Sequence, residues 1–146
     1  MYRKLLFPFV LGCSLGSSIA SAHELGFAGL LSGKNKAEMP ELTLAAGEPI
    51  AAVSEINLES GKYYELDIRA DGSAELGLSG AGFFRAIWVD EVVINGLEVR
   101  PLGLDSVEFD DAGEMEIGFV AIKPGSYSLS VPGSTGDTQR VKINIR

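Results

Sequence analysis

Apolar and polar residues alternate with a period of two through most of the chain beyond residue 41, the mark of half-buried strands. The clearest run is 63–70, where Tyr64, Leu66, Ile68 and Ala70 share one face and Glu65, Asp67 and Arg69 the other. Ile117, Phe119 and Ala121 alternate in the same way, and so do Tyr127, Leu129 and Val131 after Lys123-Pro124-Gly125. Proline presets φ and glycine accepts a positive φ, so this stretch reads as strand, tight turn and strand, a hairpin. Weaker strands are expected at 42–44, 54–58, 74–78, 97–99 and 107–109, with Val141, Ile143 and Ile145 closing the chain. Gly47-Glu48-Pro49, Ser60-Gly61-Lys62, Asp71-Gly72, Asn95-Gly96 and residues 110–113 punctuate them as turns.

Residues 83–94 fit neither period. Phe84, Trp88 and Val92 are spaced as on a helix, whereas Val92-Val93-Ile94 favours a strand. A strand or irregular crossing is expected, then a strand ending at Asn95-Gly96. The whole pattern predicts an all-β fold, a sandwich of about seven to nine short strands. Its core is expected from Leu66, Ile68, Trp88, Ile94, Phe109, Ile117, Phe119, Tyr127, Leu129 and Ile143. Residues 23–41 hold no period and read as an extended, flexible lead-in to a domain at 42–146.

The order of elements resembles a cupredoxin-like β-sandwich. Gly61-Lys62-Tyr63-Tyr64 is similar to that family's turn into a long strand, and Gly113–Phe119 to its penultimate strand. Pro124-Gly125-Ser126-Tyr127-Ser128-Leu129-Ser130-Val131 is similar to the run that leads into its copper loop. The resemblance implies a Greek-key sandwich and a periplasmic habit. A type 1 copper site takes a cysteine thiolate, two imidazoles and usually a thioether. Val131 stands where the cysteine would be, and residues 132–140 hold neither His nor Met. The blue-copper role therefore does not carry over.

The N-terminus changes the picture of composition. Met1-Tyr2-Arg3-Lys4, an apolar run from Leu5 to Leu11 and Ala20-Ser21-Ala22 together read as a signal peptide over residues 1–22, cleaved before His23. Its apolar run is too short for a stable membrane span. The alternative is a lipoprotein anchored at Cys13, after Val10-Leu11-Gly12. Cleavage removes the only cysteine and two cations, so the formal charge moves from -8 to about -10. No thiolate or disulfide chemistry remains. An acidic chain disfavours nucleic acid and suits a basic partner or a cation. The expected compartment is the periplasm or the exterior.

Three groups of residues are candidates for chemistry. His23, the only histidine, would become a terminal residue whose amine and imidazole chelate Cu(II), with Glu24 as a co-ligand. The commoner fate of such a residue is simple solvation. Asp105, Glu108, Asp110, Asp111, Glu114 and Glu116 crowd a second expected hairpin, where Asp110 and Asp111 would meet a basic partner or a hard cation. A solvated turn is the plainer reading. Phe83 and Phe84, beside Arg85 and Trp88, form a possible partner platform, with core packing as the plainer reading. No catalytic triad or thiol nucleophile is present, and no catalytic residue is assigned. The expectation is a cupredoxin-like binding or accessory module without type 1 copper. It is expected not to be an enzyme and to work with another envelope protein. The alternative is a periplasmic Cu(II) carrier or sensor using His23.

Overall fold

The computed structural model of the chain describes residues 29–146. Eleven strands cross them: β1 (Lys36–Glu38), β2 (Leu42–Leu44), β3 (Glu55–Leu58), β4 (Tyr63–Ala70), β5 (Leu76–Ser79), β6 (Ile87–Ile94), β7 (Leu97–Val99), β8 (Ser106–Phe109), β9 (Gly113–Ala121), β10 (Gly125–Ser130) and β11 (Arg140–Ile145). One helical turn, α1 (Ala81–Phe84), links β5 to β6. The signal-peptide reading, Cys13, His23 and Glu24 lie outside the described residues.

The strands form two sheets. Sheet A has the order β1-β4-β9-β6-β7, with β2 also pairing with β4. β1 pairs parallel with Tyr63–Glu65 and β2 parallel with Ile68–Ala70, so both share one edge of β4. Sheet B has the order β3-β11-β10-β5-β8. Of the eleven only β1 was not expected; three residues are too few to display a period. β1 falls in the segment expected as a lead-in. Asn35 anchors it, donating from its buried side-chain amide to the carbonyls of Leu30 (2.9 Å) and Gly61 (3.0 Å).

The core lies between the sheets. Leu66 and Ile68 of β4, Ile117 and Phe119 of β9, Leu78 of β5, Leu129 of β10 and Ile143 of β11 are fully buried. Phe83 from α1 meets Phe119 edge-on, ring centres 5.5 Å apart, and Phe84 and Tyr64 complete the aromatic cluster. Such rings bring large apolar area and a favourable edge-to-face geometry to a sandwich interior.

The expected hairpin at 117–131 is not a hairpin. β9 is held between β4 and β6 in sheet A, whereas β10 pairs with β11 and β5 in sheet B. Lys123-Pro124-Gly125 is the corner where the chain changes sheet. The Tyr127 hydroxyl donates to the Lys123 carbonyl (2.9 Å), and the N–H groups of Ile122 and Lys123 donate to Ala86. Two strands that each turn an apolar face inward satisfy that pattern equally well side by side or face to face across the core. The acidic hairpin expected at 105–116 fails in the same way, because β8 belongs to sheet B and β9 to sheet A.

Residues 83–94 split into α1 and β6. The helical turn directs both phenylalanines inward. Any side chain at Gly80, which precedes it, would meet Leu129 and the Ser128 carbonyl. In β6 the register shifts between Val89 and Glu91. This β-bulge puts an extra residue, Asp90, into the strand. Val89 and Val92 are therefore both buried, and Trp88 is turned outward with 48% of its surface exposed. Trp88 and Ile94, expected in the core, lie on the surface; Ile94 sits at the strand end beyond the cover of sheet B.

Candidate functional site: the outer face of sheet A

Register places the outward side chains of β4, β9 and β6 in rows. Tyr63 lies opposite Val120, and Val120 opposite Trp88. The next row is Glu65, Gly118 and Glu91; the next is Asp67, Glu116 and Val93; Arg69 and Glu114 end the series. Glu65, Asp67, Glu91, Glu114 and Glu116 thus gather on one surface from three strands. The cations there are spoken for. Lys36 pairs with Glu65 at 2.5 Å, and its ammonium lies 4.9 Å from the centre of the Tyr63 ring. Arg69 pairs with Glu114 (3.3 Å) and Glu41 (3.7 Å).

Gly118 matters because Tyr63 lies across it. A methyl group at Gly118 would collide with the Tyr63 hydroxyl. The ring is almost wholly buried, as is Val120 beside it. Its hydroxyl donates weakly toward Asp90 (3.4 Å) and Glu91 (3.5 Å). Burial pushes the Tyr63 phenol well above its ordinary value, and the charges of Glu91, Asp90 and Glu65 push it further. The bulge allows two consecutive carboxylates, Asp90 and Glu91, to reach one cation. Arg100 meets both at 3.0 Å and Glu98 at 3.1 Å.

Asp67 and Glu116 are different. They are directly cross-strand and form no ion pair among the described residues. Opposed like charges destabilise a sheet. With Val93, Asn95, Gly96, Glu114 and Met115 they line an open groove of about 320 Å³. Burial raises the Glu116 carboxyl above its ordinary value, and the repulsion of Glu65, Asp67 and Glu91 adds to it against the opposing pull of Lys36. The groove therefore holds negative charge whose own fold works against it.

The outer face of sheet B contrasts with this one. Ser126, Ser128 and Ser130 of β10, with Ser79 and Lys142, border a shallow groove of about 510 Å³ that is hydroxyl-rich.

The candidates named from sequence disperse. Phe83 and Phe84 are core side chains and present no face to a partner, because the helical turn drives both between the sheets. Asp110 and Asp111 are exposed in the turn between the sheets. Asp110 comes together with Glu75 and Glu108 as a surface trio of carboxylates, not with Glu114 and Glu116. Asp105 pairs with Arg85 at 3.4 Å. Glu65 and Asp67 were legible as outward residues of a strand; that Asp67 faces Glu116 was not, since only the β4–β9 register decides it.

No protein-family model matches the chain, and no curated protein matches it. Solved structures do. A laccase-like multi-copper oxidase, CueO from the lignin-degrading bacterium Ochrobactrum sp., superposes with a TM-score of 0.54 at 8% identity, over 78% of this chain and 32% of that one. The blue copper oxidase of Nitrosomonas europaea gives 0.49 at 15% identity, over 64% of this chain and 31% of that one. The multicopper oxidase of Campylobacter jejuni gives 0.44 at 7%, over 64% and 21%. The chain spans about a third or less of the length of each. At 8% identity the first of these likenesses shows the fold alone, a cupredoxin-like β-sandwich. The laccase-like neighbour that superposes above a TM-score of 0.5 is itself an oxidase, which runs against the expectation that the chain is not an enzyme, and that expectation is withdrawn.

Proposed function

We propose that this chain is a periplasmic or secreted cupredoxin-like module without type 1 copper, which binds a basic surface of another envelope protein on the outer face of sheet A. The observation that carries the reading is the Asp67–Glu116 pair. It costs the sheet stability, lies in an open groove and forms no ion pair among the described residues. A positive group from outside would relieve that repulsion, so binding and electrostatic relief reinforce each other. The described residues contain no cysteine and no histidine, and Val131, at the position of the copper thiolate, is buried as core. They do not fit a type 1 site.

The test is capture from envelope extract, followed by direct binding of the recovered protein to purified wild-type chain and to Asp67→Asn/Glu116→Gln. The expected result is a basic partner whose affinity falls at least about tenfold in the double variant and falls with salt. Equal binding by both proteins would refute the reading.

A second reading, Cu(II) binding through His23 with Glu24, draws support from the copper-oxidase neighbours alone. Copper titration of the processed protein followed by EPR tests it. A nitrogen signature that persists in His23→Ala would eliminate it.

A further inference from the structure

We propose that Trp88 anchors the basic partner by stacking against an arginine side chain, so that the outer face of sheet A takes guanidinium groups in preference to ammonium groups. The inference rests on the reading of that face as a docking surface for a basic protein, and it names the side chain that docks.

Trp88 is the odd member of its row. Tyr63, Val120 and Trp88 lie side by side across β4, β9 and β6 on the outer face. Tyr63 and Val120 are buried, whereas 48% of Trp88 is open to water. No other aromatic side chain among the described residues is as exposed. An open indole leaves a large apolar area to be buried against a partner, and tryptophan is among the residues on which interfaces concentrate their binding energy.

Charge names what covers it. The next outward positions along β6 are Asp90 and Glu91, which the bulge sets together. With Glu98 they share one cation, Arg100. One guanidinium against three carboxylates leaves two negative charges beside the indole. A second copy of this acidic chain, an anionic lipid surface or a nucleic acid would each be repelled there. A cation is drawn both by that surplus and by the face of the ring.

The chain already holds a filled example of this arrangement. Lys36 lies over the Tyr63 ring, 4.9 Å from its centre, and pairs with Glu65, the next outward residue of β4. It is the one cation stacked on a ring among the described residues. Trp88 with Asp90 and Glu91 repeats the aromatic and carboxylate parts on β6 without a stacked cation. Arginine suits that place better than lysine. Its planar guanidinium lies flat on an indole with its N–H edge still turned to carboxylates, and it is more weakly hydrated than an ammonium. The row of Asp67 and Glu116 lies four residues further along β4 than the row of Trp88, about 13 Å. A partner that presents several arginines over that span engages both ends of the face.

Titration of the purified chain with octaarginine and with octalysine at low salt tests the inference, by calorimetry and by the emission of Trp88, the only tryptophan. The expected result is at least about threefold tighter binding of octaarginine, with the indole emission shifted at saturation. Trp88→Leu should remove most of that preference, and Trp88→Tyr should keep part of it. The side chain is exposed, so both variants should keep the wild-type circular dichroism melt. Equal affinity of the wild type for the two peptides, a preference undiminished in Trp88→Leu, or an unmoved emission at saturation would each overturn the inference. Asp67→Asn/Glu116→Gln separates that failure from failure of the reading beneath it. If the double variant binds both peptides more weakly while the arginine preference is absent, only the role of Trp88 falls. If it binds both as tightly as the wild type, the docking surface itself falls, and the inference with it.

Discussion

Replacing Glu116 with glutamine should make the protein more stable while weakening its binding. Glu116 faces Asp67 across the β4–β9 ladder and forms no ion pair among the described residues. Its carboxyl sits above the ordinary value of 4.5, first through burial and then through Glu65, Asp67 and Glu91. An acid with a raised folded pKa holds its proton more tightly in the folded than in the unfolded chain. Its stabilising share is therefore complete below the ordinary value and is lost as pH rises through the folded one. At neutral pH the charged Glu116 opposes folding. A cross-strand pair contributes about 0.2–1 kcal/mol, and a groove open to water favours the lower half of that range. Glu116→Gln should thus gain about 0.5 kcal/mol at neutral pH, or about 2 °C in Tm for a domain of this size. The gain should shrink toward zero near pH 4, where the wild-type carboxyl is protonated, and shrink also in high salt. Thermal unfolding followed by circular dichroism at both pH values measures it. A loss of stability at neutral pH, or a gain equal at both, would refute the electrostatic account. The same substitution should reduce affinity for a basic partner, the trade-off expected of a binding surface.

Other outcomes follow from the same geometry. Gly118→Ala should cost about 1–3 kcal/mol by driving a methyl into the buried Tyr63 hydroxyl. Adding Tyr63→Phe should recover part of that loss, and a strictly additive double-mutant cycle would show that the two groups do not meet. Phe83→Ala should cost about 3–5 kcal/mol in denaturant unfolding, whereas Trp88→Ala should cost less than about 1 kcal/mol; the reverse order would contradict the inward turn of α1 and the outward turn of β6. Trp88 is the only tryptophan, so its fluorescence should be readily quenched by acrylamide in the folded protein. Strong shielding would contradict its exposure.

Period-two alternation, which depends only on neighbouring residues along one strand, was enough to mark the strands at 42–44, 55–58, 63–70 and 140–145 and the inward set of Leu66, Ile68, Ile117, Phe119, Leu129 and Ile143. Asn95-Gly96 announced its turn because few other residues accept positive φ at both positions. Residues 83–94 misled for a physical reason: a helical turn of four residues is too short to establish a period, and the bulge at Asp90 breaks the alternation that would have turned Trp88 inward.

What sequence pattern does not carry is the choice of neighbour. Alternation states that a strand has an apolar face, not which strand lies beside it or which lies across the core. β9 and β10 are consecutive and both face inward, yet they belong to different sheets. That single decision dissolves two expected hairpins and divides the acidic residues of 105–116 between the two halves of the molecule. It also builds the candidate site. Glu65 and Asp67 are outward residues on any reading of the chain, but they become one surface with Glu91, Glu114 and Glu116 only when β9 slots between β4 and β6 in one particular register. The fold class and the inward residues were thus set locally, by the pleat of each strand. The acidic face was set by long-range pairing, where shape and packing of the whole core choose among partners that the local pattern leaves equal.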